Sequence, residues 1–322
     1  MDMAKENTQI DLSIIIINWN TKDLLLACLG SLSQQQINYK TEIIVVDNAS
    51  SDGSPEIVNK NYQHVKLIRN DMNLGFGKAN NIGIKQSRGR YVCLLNSDVR
   101  VLPGCMESLI NFMDQNKSIG ISSPKILAPD MIMQSTCRKL PSLWNNICEL
   151  LYLNKLFPKS EMFSSEHMDF FDHKTVRHVE GLAGCCLIIR KAALDQVGLF
   201  DERFFIYFEE TDLCKRFRQA GWDIVFSPDA VVIHHHAASS SKDPVRFHIE
   251  FIKSQMQYWE KNHSKTAVII FMFILLIHHG TRLILRSISY IFTAPAKRIQ
   301  MTQQLSKHYL CLKLIITGKY GY

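Results

Sequence analysis

The sequence predicts an α/β fold with a mainly parallel central sheet, followed by a helical C-terminal tail. Three observations carry this reading. Apolar, β-branched runs alternate with helical patterns through the first half of the chain. Polar and acidic residues stand where those runs stop. Beyond residue 245 the pattern changes to an amphipathic helix and an unbroken apolar run over Ala267–Ile277.

The elements follow in order. Leu12–Ile17 is continuously apolar, as expected of a strand buried on both faces. Thr21 is placed to cap a helix carrying Leu24, Leu25, Cys28, Leu29 and Leu32 on one face. Glu42–Val46 is a second strand, and Ser54-Pro55-Glu56 reads as an N-cap, a first-turn proline and a first-turn acid. Val65–Arg69 is a short third strand. A glycine-bearing turn and a helix fill residues 73–86, and Tyr91–Leu95 is a fourth strand. Residues 128–179 lack a clean period and read as loops and short helices laid over a site. Strand character resumes at Gly181–Arg190, and two helices follow, the second over Glu209–Gly221 and ended by glycine.

The totals bound the answer. A chain of 322 residues with 46% hydrophobic content builds a substantial core, in one domain or one domain plus an appendage. A net charge of +7 suits anionic partners. Aromatics are not interleaved with basic residues, so no nucleic-acid partner is expected. Nine cysteines with no CxxC pair read as reduced, buried thiols. The N-terminus has no apolar signal core, and residues 1–10 are expected to be disordered.

In an open parallel sheet, ligands bind at the carboxyl ends of the strands. There the first strand stops at Asn18-Trp19-Asn20, the second at Asp47-Asn48 and the fourth at Asn96-Ser97-Asp98. An aspartate on that edge repels a phosphate unless a cation lies between them. Mg²⁺ and Mn²⁺ suit carboxylate and phosphate oxygens, so Asp98 points to a metal bridge to a diphosphate. On spacing alone a turn explains the same residues. The stretch Asn73–Gly83, with Gly75, Lys78 and Asn80, fits neither phosphate-loop spacing, because Asn80 stands where a third glycine belongs.

Five motifs then occur in order: IIIINWN, IIVVDNASSDGS, RNDMNLGFGKANNIGI, LLNSDV and YFEETDLCKRFRQAGW. Together they closely resemble the family 2 glycosyltransferases, in particular the bacterial rhamnosyltransferase-like branch, over about residues 11 to 245. The resemblance implies a GT-A type αβα sandwich over 11–245, with a nucleotide-sugar-binding half at 11–127 and an acceptor-binding half at 128–245. Residues 246–322 then form a helical, membrane-associating region. It also implies an inverting transferase using a nucleotide-diphosphate sugar, dTDP-rhamnose being the donor the family favours, in cell-surface polysaccharide synthesis.

Carried over residue by residue, Asp47 matches the aspartate that contacts the nucleoside, with Asn18 and Asn48 beside it. Asn20, Arg69, Asn73, Gly75, Lys78, Asn80 and Asn96 complete the expected nucleotide-sugar-binding set. Arg69 pairs with a phosphate or nucleobase, or forms a surface ion pair. Asp98 matches the last position of the family's DXD-type metal motif, and Asn96 stands where many relatives have aspartate. His234 matches a histidine that relatives carry after a short strand, an acceptable second ligand for Mg²⁺ or Mn²⁺. His235 and His236 read as a solvated turn.

Glu209, Glu210 and Asp212 stand where a helix starts, a placement that also complements a helix dipole. The resemblance makes Glu210 the base, with Glu209 close behind. The acceptor is then a glycan or polyprenyl-linked glycan. The tail fits a helix lying in an anionic membrane interface, with Lys253, Lys261, Lys265, Arg282, Arg286, Lys297 and Arg298 toward headgroups. A buried core helix is the alternative. The expected location is cytoplasmic, peripheral to the inner face of the cell membrane. Two other functions compete: a non-catalytic sugar-nucleotide-binding or scaffold protein, and a sugar-nucleotide nucleotidyltransferase. The second would want a glycine- and basic-rich triphosphate loop, which IIIINWNTKD lacks.

Overall fold

The computed structural model describes residues 9–235 and 243–318. Within them the chain forms two compact units. One comprises 9–139, 172–202 and 209–235; the other comprises 140–171, 203–208 and 243–318.

The first unit holds strands β1 (Leu12–Asn18), β2 (Thr41–Asp47), β3 (Val65–Arg69), β4 (Tyr91–Asn96), β5 (Val99–Val101) and β6 (Ile119–Leu127). It continues with β7 (Cys137–Arg138), β8 (Arg177–His178), β9 (Gly181–Leu182), β10 (Cys186–Arg190) and β11 (Asp223–His234). The main sheet runs β3-β2-β1-β4-β10-β6-β11-β5, with β8 beside β11. The strands β3, β2, β1 and β4 are parallel, as are β6 and β11, while β10 runs antiparallel between β4 and β6. The sheet is therefore mixed and mostly parallel.

Helices α1 (Lys22–Ser33), α2 (Ser54–Asn61), α3 (Phe76–Lys85), α4 (Cys105–Gln115), α7 (Lys191–Val197) and α8 (Glu209–Gln219) belong to this unit; α5 and α6 belong to the second. Leu12, Ile14 and Ile16 of β1 join one core with Leu25, Cys28, Leu29 and Leu32 of α1 and Met106, Leu109, Ile110 and Met113 of α4. Each such side chain contributes about 1.5–3 kcal/mol on burial. The opposite face of β1 meets α3, where a methyl group on Gly83 would come within 2.5 Å of Ile15. Helices thus cover both faces of a sheet whose strands β1 and β4 are largely apolar.

Several local expectations are corrected. Thr21 occupies the N-cap position of α1, but its hydroxyl donates to Asn18 Oδ1 at 2.8 Å and also bonds Ser97. Asp52 satisfies α1 instead, accepting from the Lys22 amide at 2.8 Å. Ser54 is the first residue of α2, behind Gly53 at φ +79°, and its hydroxyl donates to Asp52. Gly181–Arg190 is not one strand but two, in different sheets, separated by 183–185. Strand β6 and helix α4 have no counterpart in the sequence reading, because Ser122, Ser123 and Pro124 interrupt the strand's apolar run.

The second unit contains α5 (Leu143–Leu150), α6 (Leu153–Leu156), α9 (Pro244–Asn262), α10 (Lys265–Ile291), a 3₁₀ turn (Pro295–Lys297) and α11 (Arg298–Thr317). Its core gathers Ile249, Ile252, Met256, Tyr258 and Trp259 of α9, Phe271 and Leu275 of α10, and Cys311, Leu314 and Ile315 of α11. Trp259 stacks on Phe271 at 4.5 Å between ring centres. The apolar run of the tail is part of one 27-residue helix, α10, long and apolar enough by length and composition to cross a membrane. Its Ile269, Phe273, Ile284, Leu285, Ile288 and Ile291 are exposed. Arg282 stacks over the Tyr152 ring at 4.5 Å, and Arg298 lies over Tyr290.

Candidate active site

Register assembles the site. In the parallel pairs, Asn18 lies opposite Asp47, and Ile17 opposite Asn96, so the carboxyl ends of β1, β2 and β4 finish in one row. Asn18 is fully buried, and its amide donates to Asp47 Oδ1 (2.8 Å), Ser50 Oγ (3.0 Å) and Ser54 Oγ (2.7 Å). Asp47 Oδ2 accepts the Ser50 amide, and Asn48 bonds the Gly75 carbonyl and accepts from Asn70. Asn20 enters the left-handed region at φ +54°, with its Oδ1 taking the Ser51 amide. The loop following β2 is thereby held on both sides, and Ala49 is kept at φ +60°, which a side chain ordinarily avoids.

The hydroxyl chain from Asn18 through Thr21 to Ser97 leads to Asp98, which is 8% exposed. Asp98 Oδ1 lies 3.3 Å from His234 Nε2. The strand pairing that brings them together is β5 against β11, where His234 faces Val99, and the His235 amide donates to the Asp98 carbonyl. Gln134 fixes the imidazole. Its Nε2 donates to the His234 carbonyl at 2.9 Å, which turns its Oε1 toward His234 Nδ1 at 3.0 Å. Nδ1 therefore carries a proton, and Nε2 is the ring atom turned toward the Asp98 carboxylate.

A carboxylate and an imidazole nitrogen that meet in a buried place can share a cation, and Asn96 Oδ1, two positions before Asp98 in the sequence, is buried without a partner. The donor set of one carboxylate, one imidazole and one amide oxygen fits Mg²⁺ or Mn²⁺, and the outer-shell Gln134 supplies the orientation such ligands need.

The second half of the site is the start of α8. Glu209 is 3% exposed, and the Oε2 atoms of Glu209 and Glu210 are buried without a partner. Burial raises both carboxyls above the ordinary range, and the Glu210 charge raises Glu209 further. A methyl group on Gly77 would meet Glu209 Cβ at 3.5 Å, and one on Gly184 would meet Glu210 Cγ at 3.6 Å, both ordinary contact distances.

The profile of glycosyl transferase family 2 matches residues 13–198, which contain the carboxyl ends of β1, β2 and β4. The chain belongs to glycosyltransferase family 2. It is 30% identical over 264 residues to the N-acetylglucosaminyl-diphospho-decaprenol L-rhamnosyltransferase of Mycobacterium tuberculosis, covering 79% of this chain and 85% of that one. Among solved structures it is similar to the mannosyltransferase PcManGT from Pyrobaculum calidifontis in complex with GDP-Man and Mn²⁺. The TM-score is 0.57 at 14% identity, over 98% of this chain and 89% of that one. It is also similar to GalNAc-T7 with UDP, GalNAc and Mn²⁺, with a TM-score of 0.56 at 18% identity, over 70% of this chain and 43% of that one. The fold of this glycosyltransferase is GT-A.

Within the glycosyltransferase, the other expected residues take separate places. Asp212 is fully buried and its Oδ2 accepts from Arg216 at 2.8 Å, while Arg216 reaches the carbonyls of Val197, Gly198 and Leu199 beyond α7. Its carboxylate is part of a structural ion pair. Arg69 pairs with Glu56 at 2.9 Å, both well exposed, which selects the surface ion pair of its two readings. Lys78 lies 3.9 Å from Glu202. Asn73 accepts the Gly75 amide, and Gly75 at φ +83° makes the turn into α3. Asn80 is buried, donates to the Phe76 carbonyl and keeps its Oδ1 unpartnered. His235 is exposed; His236 lies outside the described residues.

Two residues of this site escaped the sequence reading. Gln134 lies in the aperiodic middle, and only its pairing with a residue a hundred positions away reveals it. Asn81 clamps the Phe200 backbone through both amide atoms, at 2.9 and 3.0 Å, and reaches Glu202. Its adjacency to Asn80 was the available signal.

Proposed function

We propose that this glycosyltransferase is an inverting, divalent-cation-dependent enzyme that moves rhamnose from a nucleotide-diphosphate sugar to a hydroxyl of a polyprenyl-linked glycan. The observation that carries the reading is the buried Asp98–His234 pair, with its imidazole held by Gln134, on the sheet edge that also holds Asp47 and Asn18. The name of the mycobacterial relative supports rhamnose as the sugar and a polyprenyl-diphospho-linked acceptor.

The ion would be held by Asp98, His234 Nε2 and Asn96 Oδ1. When bound, Mg²⁺ or Mn²⁺ supplies electrostatic stabilisation for charge gathering on the leaving diphosphate. Asp47, Asn18 and Asn48 shape the nucleoside end within the 11–127 half. Glu210 removes the acceptor proton, with Glu209 beside it. The acceptor oxygen bonds the anomeric carbon as the bond from that carbon to the diphosphate breaks, and a single displacement inverts the centre. The exposed apolar face of α10 supports a lipid-surface position for the enzyme, where such an acceptor lies.

The test is turnover with purified full-length chain, a panel of nucleotide-diphosphate sugars and a polyprenyl-diphospho-sugar acceptor, with and without Mn²⁺. Glu210→Gln is expected to retain donor-induced thermal stabilisation while turnover falls at least about 10²-fold. Turnover by Glu210→Gln equal to wild type would remove Glu210 as the base, and donor binding by the wild-type chain with no turnover on any donor would favour a sugar-nucleotide-binding role without catalysis.

A further inference from the structure

A second cluster of metal-type side chains sits in the helical unit, and none of its members belongs to the candidate active site. His248 of α9, His279 of α10 and Cys311 of α11 each offer one ligand atom, and these atoms lie within 4.8 Å of one another. Cys311 is fully buried, His279 is 1% exposed and His248 is half-buried. Three different helices contribute, so no sequence spacing announces the group.

The hydrogen bonding around it is incomplete in a particular way. The Nε2 atoms of His248, His279 and His308 are all buried without a partner. An unpartnered buried polar group costs about 1–3 kcal/mol, so three in one place need an explanation. His279 Nδ1 lies 3.0 Å from His308 Nδ1, and only one proton fits between two nitrogens. With that proton on His279, its ring is oriented by His308 and its Nε2 is a bare lone pair. This is the outer-shell arrangement that readies an imidazole for a metal. Burial holds His248 down to about 4 and His279 down to about 2, so both rings are neutral acceptors at physiological pH.

We infer that His248, His279 and Cys311 form a second metal site, for a thiophilic divalent cation such as Zn²⁺, with His308 as the residue that positions His279. Two imidazoles and a thiol select Zn²⁺ over Mg²⁺ or Mn²⁺. Ligands at Zn²⁺ bond lengths stand about 3.3–3.7 Å apart, so the side chains close by up to about an ångström on binding. The ion displaces the Cys311 proton, which burial otherwise retains up to about 12. That thiolate is needed, because Lys307, Arg282 and Arg286 already bring positive charge to His308. The site fastens α9, α10 and α11 together and takes no part in transfer.

The test begins with the metal-free full-length chain titrated with Co²⁺ alone. One tightly bound Co²⁺ per chain is expected, with a sulfur-to-cobalt charge-transfer band that Zn²⁺ abolishes by displacement. X-ray absorption of the Zn²⁺ form should count one sulfur and at least two nitrogens. Asp98→Asn, which alters the other candidate site, should keep the band at full intensity. Cys311→Ser should lose it, with Zn²⁺ affinity lowered by roughly 100-fold or more, and His308→Asn should weaken Zn²⁺ about 10–100-fold. A folded wild-type chain with no such band, no sulfur in the zinc shell, or a band unchanged in Cys311→Ser would overturn the assignment. The wild-type measurements decide even if Cys311→Ser does not fold.

Discussion

His234 Nε2 lies 3.3 Å from Asp98 Oδ1, and it is turned toward that carboxylate because Gln134 holds Nδ1. The pair is nearly closed to solvent. Without a cation or a second proton the contact is repulsive, and in a low-dielectric place the repulsion is not screened. The same Gln134 binds the His234 backbone carbonyl, so its orientation is not free to reverse.

Gln134→Met therefore releases the imidazole without vacating its space. Mn²⁺ affinity, measured by titration, is expected to fall about 10–100-fold, the range for an outer-shell partner of a metal-bound histidine. Activity should return at higher Mn²⁺. An unchanged Mn²⁺ affinity would show that ring orientation does not matter here, and that Asp98 acts alone.

Glu209 gives a pH signature. Its carboxyl is raised in the folded chain, by burial first and by Glu210 second. The unfolded chain then loses that proton at lower pH than the folded chain does. Stability is full below the ordinary glutamate range and declines as pH rises toward the folded value. Glu209→Gln removes the decline, so its unfolding free energy should match wild type near pH 4 and exceed it near pH 8. The gap is about 1.4 kcal/mol for each pH unit by which the carboxyl is raised. Parallel curves for the two proteins in chemical denaturation would rule this out.

Much of this was legible in the residues because β-strands buried on both faces leave continuous apolar runs, and the run ends mark the ligand edge. Asp98 and His234 were paired from the family resemblance, and the fold places them in contact. Residues that work through non-local partners were not legible. Gln134 looks like any loop glutamine until β11 brings His234 beside it, and β6 hid because buried serines and a proline broke its run. Thr21 and Ser54 matched cap chemistry locally, but the strand-end network took both hydroxyls.

The glycines of α3 differ in how closely they are packed. A methyl group at Gly77 would touch Phe200 Cβ at 3.4 Å and Glu209 Cβ at 3.5 Å, ordinary contact distances, while one at Gly83 would strike Ile15 at 2.5 Å. Gly77→Ala should leave stability within about 1 kcal/mol, since helix propensity favours alanine and nothing has to move. Gly83→Ala should lose about 1–3 kcal/mol by overpacking with normal activity per folded molecule. Denaturant unfolding of the two variants decides: a larger loss in Gly77→Ala than in Gly83→Ala would show that these contacts do not set the packing of α3.

Asp212 belongs with stability. Its carboxylate is fully buried against Arg216, whose guanidinium also ties down three carbonyls after α7. Asp212→Asn is expected to destabilise the chain by about 3 kcal/mol, as loss of one partner leaves a largely buried charge. Donor KM and kcat at low temperature should be near wild type. A kcat loss in a variant of unchanged melting temperature would return Asp212 to the catalytic group.

The last expectation concerns α10. Phe273 and Ile288 are 62% and 52% exposed, so neither supports the core of the helical unit. Moving a large apolar side chain out of water contributes about 1.5–3 kcal/mol, so losing two from a lipid contact weakens partition by roughly 100-fold or more. Phe273→Glu/Ile288→Glu should therefore leave the melting temperature unchanged and abolish sedimentation with anionic vesicles. Charge contributes too, because Lys265 and Lys297 flank the helix, so wild-type binding should weaken with salt and with uncharged lipid. Transfer to a water-soluble acceptor analogue should continue in the double variant, while transfer to acceptor embedded in vesicles should fall in step with partition. If the variant pellets as wild type does, the exposed face of α10 is not what meets the membrane.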